Sequence, residues 1–281
     1  MPQNTARIID LEDRHVDEAV ALSANAGWNQ AAADWWMMLA CGQGIGIEDD
    51  KGRLAATSVV LPYGDGFGWI SMVLVAAHQR GRGLARQLVE RAVAMLGVQG
   101  LAAMVDATPA GEAVYRPMGF EPGLRLQRWS HECVQIIELD SLGVNVAEKL
   151  DPEIVAGLDE AIFGGKRHGI LEYLAQRSAA FCAHKRDGTG FVLGRDGNVA
   201  HQIGPVSAQS PRCAAALLDH ALRNLSGPVF IDAFDHQTSF VAQLARYGFK
   251  PQRPFRRMSK GSTKSYGQPE NMYAMAGPEL G

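Results

Sequence analysis

HQRGRGLARQL, His78 to Leu88, sets three arginines and two glycines between an apolar run, ISMVLVAA, and an apolar-periodic segment, LARQLVERAVAML. A strand that passes into a helix through such a turn suits an anion. The first N–H groups of a helix point outward and carry partial positive charge. Glycine at 81 and 83 lets the backbone approach a ligand without a Cβ in the way. Arg80, Arg82 and Arg86 add charge-assisted donors, each worth about 1.5–3 kcal/mol. The plainer reading is a solvated turn. Two nucleotide readings fail on the residues. A dinucleotide fingerprint needs a third glycine where Arg86 stands, and GGKR at 164–167 lacks the hydroxyl residue of a phosphate loop.

A second spacing follows the strand LAAMVDA: Thr108, Gly111 three residues on, Tyr115 seven on, then Gly119-Phe120. Together with R-x-x-G-x-A at Arg80 to Ala85, in strand-to-helix context, this resembles the GNAT N-acetyltransferase superfamily over residues 7 to 129. Threonine stands where asparagine is more usual. The resemblance implies acetyl-CoA as cosubstrate, no metal, and direct attack of an amine on the thioester. It implies that WISMVLV splays from its neighbour, so that Val73, Leu74 and Val75 offer backbone groups to the pantetheine. Arg80, Gly81, Arg82, Gly83, Leu84, Ala85 and Arg86 would hold the pyrophosphate, with Thr108 also in the cofactor site. Tyr115 would be catalytic, donating to the departing thiolate, since ordinary phenol and thiol pKa values are about 10 and 8.5. The general base stays open. WISMVLVAA has no carboxylate, Asp106, Asp65 and Glu48 are candidates, and a water-mediated route is the alternative.

The elements that position these residues follow from periodicity. ARIIDLEDRHVDEAVALSANAG reads as a strand and an amphipathic helix, and Asp34 as the cap of a second helix carrying WWMMLA. The run from GIGIEDDKG to ISMVLVAA gives three antiparallel strands, with turn chemistry at DDKG and YGDGFG. Helix, strand, tyrosine helix and the strand GLRLQRW complete the unit. The pattern then recurs: GFVLGRDGNVAHQIGPVSA, SPRCAAALLDHAL, VFIDAF and HQTSFVAQLARYGF, with MVDA…MGFEP and FIDAF…YGFKP in equivalent places. The expected fold is α/β with an α+β mixed sheet, two GNAT-like domains in tandem, residues 1–138 and 139–281. The second reads as degenerate. Leu244 stands where the first copy has Tyr115, and QSPRCAA replaces RGRGLA, so one acyl-CoA site per chain is expected. FRRMSKG and YAMAGPELG resemble the C-terminal half of tandem-GNAT proteins of the YitH type. FGGKR keeps Arg167 of that group's F-G-A-D-R but loses its acid.

Composition bounds the function. Of 281 residues 47% are hydrophobic and 20% charged, enough for a sizeable core, and the net charge of −3 argues against a nucleic-acid-coating protein. The four cysteines lie far apart, which fits a reducing cytoplasm better than a disulfide framework. No apolar run approaches the roughly 18 residues of a membrane span, and the polar N-terminus is unlike a signal peptide. The expected protein is cytoplasmic. Its expected partners are a small-molecule amine and, as an allowed case, a second copy of the chain, not nucleic acid or membrane. Trp28, Trp35 and Asp232 are candidate substrate residues, with Trp36, Tyr63, Phe67, His201, Asp235 and His236 as further cleft candidates. The rival function is a CoA-binding regulatory or scaffold protein without catalysis.

Overall fold

The computed structural model describes residues 7–64, 66–134, 145–147, 149–177, 180–262 and 266–281, and the boundary expected near residue 138 lies outside them. The first half opens with β1 (Ile8–Asp10), α1 (Val16–Asn25) and α2 (Ala32–Cys41). The hairpin strands β2 (Gln43–Glu48), β3 (Leu54–Pro62) and β4 (Phe67–Val75) pair antiparallel in sequence order. Then come α3 (Leu84–Val98), β5 (Ala102–Ala107), α4 (Pro109–Tyr115) and β6 (Glu121–His131). β3 is buried along nearly its whole length because α3 covers one face of the sheet, and α1 and α2 the other. Such a strand reads as a continuous apolar run, which LAATSVVLP nearly is.

The second half has α5 (Pro152–Phe163), α6 (His168–Arg177), β7 (Ala183–His184), β8 (Gly190–Arg195), β9 (His201–Ala208) and α7 (Pro211–Arg223). It ends with β10 (Val229–Phe234), α8 (Thr238–Arg246), β11 (Lys250–Lys260) and β12 (Met272–Ala274). The sequence carries α5's signals: Asp151 caps Glu153 and Ile154 N–H groups, Pro152 is the first helical residue, and Gly164 stops the helix at φ +83°.

The two halves do not build two separate sheets. Among the described residues the strand order is β1-β2-β3-β4-β5-β11-β6-β10-β12-β9-β8-β7. β6 and β11 lie antiparallel at the middle, Leu126 opposite Phe255. Yet β11 pairs with β5, and β6 with β10. Each half has therefore given its longest strand to the other. Buried charges lock the exchange. Arg257 on β11 stands opposite Asp106 on β5 and donates to both carboxylate oxygens at 2.9 and 2.8 Å. Arg128 on β6 stands opposite Asp232 on β10 and does the same at 2.8 Å twice. MVDA and FIDAF occupy equivalent places, and each aspartate takes its arginine from the other half.

The core follows the same plan. One apolar cluster runs from Leu11 through Trp35, Trp69, Phe163, Leu193 and Phe234 to Leu280 and spans both halves. A smaller one lies under α3 and α4, around Leu88, Ala92, Val105 and Tyr115.

Candidate active site

β4 and β5 run parallel, but their pairing stops at Trp69 opposite Met104. Beyond it β4 continues to Val75 and β5 to Ala107, so the ladder opens into a V. A bulge turns β4 away. Val59 faces Ser71 and Thr57 faces Leu74, leaving one residue of β3 against two of β4. Met72, at the bulge, has φ +51°, a conformation costing a non-glycine residue about 1–2 kcal/mol. The Thr57 hydroxyl donates to its carbonyl at 2.9 Å and helps hold it there.

A cavity of about 890 Å³ fills this opening. Its wall includes Ile70 to Val75, the turn around Gly81 and Gly83, the start of α4, Arg128, Gln252 to Phe255, and Pro278 with Glu279. Gly81 and Gly83 have φ +77° and +76°, and a Cβ at either would meet nothing within 4 Å. Backbone conformation, not crowding, requires glycine there. Gly83 caps α3 with no side-chain acceptor, and the first helical bond is Gln87 N–H to Gly83 C=O at 3.1 Å. The N–H groups of Leu84, Ala85 and Arg86 precede that bond and are available to a ligand. Arg80 donates from Nε to Val75 C=O at 3.3 Å, tying the turn to the strand end. Arg82 donates to Gln79, and Arg86 to Glu90 at 2.8 Å, both on the exposed surface.

The second motif has a mechanical reading. The Thr108 hydroxyl accepts from Gly111 N–H at 3.1 Å and caps α4. Thr108 also lines the cavity. A Cβ at Gly111 would come within 3.0 Å of the Tyr115 ring, so the small residue makes room for tyrosine one turn later. Tyr115 lies in the cavity wall, buried, its ring 5.6 Å from that of Phe120. Burial pushes its phenol well above the ordinary tyrosine range.

The remaining candidates divide. Trp28 lines the cavity. Trp35 does not: it is fully buried in the core, with its indole N–H on Ser23 Oγ at 3.1 Å, because its side of α2 packs on the sheet. Asp232 is not in the wall either. Both its oxygens serve Arg128, and Gln202 donates to one of them at 3.0 Å. Asp106 reaches the wall but is spent on Arg257. Glu48 ends β2 away from the cavity, and Asp65 lies outside the described residues. Tyr63 and Phe67 pack with Phe163, centroids 5.6 and 5.4 Å away. Asp34 is the third residue of α2 rather than its cap. It accepts from Ala31 N–H at 2.7 Å and binds Arg177 and Arg195 of the second half.

Sequence reasoning missed Glu279. After β12 the chain crosses to the first half, where Trp69 Nε1 donates to Pro278 C=O and Tyr63 to Leu280 C=O, both at 2.9 Å. Arg167, held by Asp159 at 2.8 and 2.9 Å, also donates to Leu280 C=O. The acid that serves Arg167 thus lies eight residues before it, outside FGGKR. The path carries Glu279 into the cavity wall, where Arg195 binds its carboxylate. YAMAGPELG holds no local spacing that would have announced this.

Family models for the acetyltransferase (GNAT) domain match residues 42–122 and, separately, 155–274. The chain is a tandem GNAT protein. The tandem GNAT protein superposes on a candidate acetyltransferase from Pyrococcus horikoshii with TM-score 0.83 at 18% identity, covering 99% of this chain and 96% of that one. It also matches a tandem GNAT protein from the clavulanic acid biosynthesis pathway, with TM-score 0.63, 14% identity and 92% and 99% coverage. A GCN5-related N-acetyltransferase from Sphaerobacter thermophilus gives 0.64 at 14% identity, with 92% and 96% coverage. These likenesses are of fold. No curated protein matches the sequence of this tandem GNAT protein. Among its described residues no helix is long and apolar enough to cross a membrane.

Proposed function

We propose that the chain is a cytoplasmic N-acyltransferase that moves an acetyl group from acetyl-CoA to the primary amine of a small molecule. One observation carries the reading: a single cavity joins the open end of β4, the N-terminus of α3 and the buried Tyr115. The residues fit the cosubstrate. The unpaired edge of β4 at Val73 to Val75 suits the pantetheine amides, and the uncrowded glycine turn with the three leading N–H groups of α3 suits a pyrophosphate. Bound acetyl-CoA would supply a thioester carbonyl as the electrophile.

The chain's own groups do the rest. Arg80, Arg82 and Arg86 add positive charge at the turn. Tyr115, kept protonated by burial, offers a hydrogen bond to the leaving sulfur across the working pH range. Alkylammonium groups have pKa values near 10, so the acceptor must lose a proton before it attacks. The second half roofs the site with Arg253, Phe255, Pro278 and Glu279, which favours a small acceptor over a lysine on a protein surface.

The test is a calorimetric titration of the whole chain with acetyl-CoA, followed by thiol release over a panel of amines. One site per chain and thiol release are expected. Two sites would refute the degenerate second half, and no binding would remove the acyl-CoA assignment. Binding without thiol release for any amine would favour the regulatory alternative.

A further inference from the structure

Three residues of the cavity wall, Gln30, Ser71 and Glu279, each carry a buried side-chain oxygen without a hydrogen-bond partner: Oε1, Oγ and Oε2 respectively. These residues are 4%, 5% and 3% exposed. A buried acceptor left unpaired is destabilising. Three on one wall are matched by a ligand that donates several hydrogen bonds. The amide and carboxylate oxygens only accept, and the hydroxyl can accept, so the complement is a group rich in N–H donors, such as an ammonium. Glu279 is held for this. Arg195 binds Oε1 and donates to Ala276 C=O at 2.8 Å, while Asp34 balances Arg195 at 2.9 Å from the other side. A Cβ at Gly277 would lie 2.9 Å from both Glu279 oxygens, so glycine at φ +139° leaves the carboxylate its place.

Elsewhere the same cavity has a cation that no carboxylate ion-pairs among the described residues. Arg253 on β11 stands opposite Arg128 on β6. Arg128 is neutralised by Asp232, but Arg253 has no carboxylate partner among the described residues. Burial and the neighbouring Arg128 cation hold its pKa below the ordinary arginine value, which leaves a half-buried guanidinium suited to an anion.

Building on the proposed acyl transfer, we infer that the acceptor is a zwitterionic amino compound, its ammonium held by Gln30, Ser71 and Glu279 and its carboxylate by Arg253. Glu279 Oε2 is then the atom that takes the ammonium proton. The N–H bond breaks, an O–H bond forms, and the electron pair stays on nitrogen for attack on the thioester.

The experiment measures acetyl-CoA affinity first, then thiol release with α- and ω-amino acids, each beside its decarboxylated amine. Amino acids should exceed the matched amines in kcat/KM by about tenfold or more. Arg253→Gln should abolish that preference while acetyl-CoA affinity is retained. Glu279→Gln, nearly isosteric, should lower kcat by about a hundredfold with acetyl-CoA affinity again retained, which also reports folding. Equal use of amines and amino acids overturns the inference, as does the lack of any acceptor in the panel while acetyl-CoA binds. Loss of acetyl-CoA affinity in Arg253→Gln would reassign that arginine to the cosubstrate's phosphates. Failure of the wild-type protein to bind acetyl-CoA would instead sink the transfer reading, and this one with it.

Discussion

Both halves open a parallel strand pair at the same stage. β4 and β5 part after Trp69 and Met104, and β9 and β10 part after Ile203 and Ile231. What enters each V differs. In the first, no strand among the described residues follows, and the cavity lies there. In the second, β12 slips between the arms and pairs with both. The helix ends differ in the same sense. α3 begins at Gly83 with no side-chain cap, whereas the Ser210 hydroxyl caps α7 by accepting from Cys213 N–H at 3.2 Å, and Pro211 contributes no N–H at all. Leu244, at the place of Tyr115, is fully buried. The ladder geometry is the same in both halves, and what differs is the occupant of the V. The same C-terminal stretch that fills one V delivers Glu279 to the other.

The comparison can be broken at three levels. The largest effect is expected at the seam, where the halves are equivalent. Arg257→Ala and Arg128→Ala each strand a buried aspartate, and each should cost about 3–5 kcal/mol in urea unfolding. A large loss from one and almost none from the other would end the equivalence. Next is Tyr115→Phe, which removes a donor the second half lacks. Its kcat should fall about a hundredfold, about 2.7 kcal/mol, with acetyl-CoA affinity little changed. Because burial raises the phenol, the wild-type rate should show no tyrosine-linked decline below about pH 10. An unchanged kcat removes Tyr115 from the chemistry. The smallest effects separate the helix ends. Gly83→Val should weaken acetyl-CoA binding about tenfold, or 1.4 kcal/mol, by calorimetry. Ser210→Ala should cost about 1 kcal/mol of stability by thermal unfolding, with no second binding site gained. A second site in that variant would show that the cap alone, and not β12, closes the second half.

What the sequence disclosed was local. The hairpins, the glycine turn and the Thr108–Gly111–Tyr115 spacing each fit within a few turns of chain, and the structure draws β4, the turn and that spacing around one cavity. What it concealed was long-range pairing. The aspartates of MVDA and FIDAF were matched as copies, but their arginines stand 151 and 104 residues away, so a candidate base and a candidate substrate residue proved to be seam residues. Trp28 and Trp35 carry the same aromatic chemistry. Trp35 lies on the buried side of α2 and meets the core, whereas Trp28, in the segment before α2, meets the cavity. Glu279 was invisible for the same reason, reaching its place through a segment anchored to Trp69 from 209 residues away.

The exchanged strands also bear on how the chain is made. During synthesis β5 and β6 emerge well before residues 250–260, and until β11 arrives neither has its central neighbour. The nascent first half therefore carries two open strand edges, the kind of surface on which chains associate wrongly. Neither half is a unit that a ribosome could finish and leave. Closure of the central seam waits for residues 250–260, and two nascent copies held side by side could each complete the other's sheet.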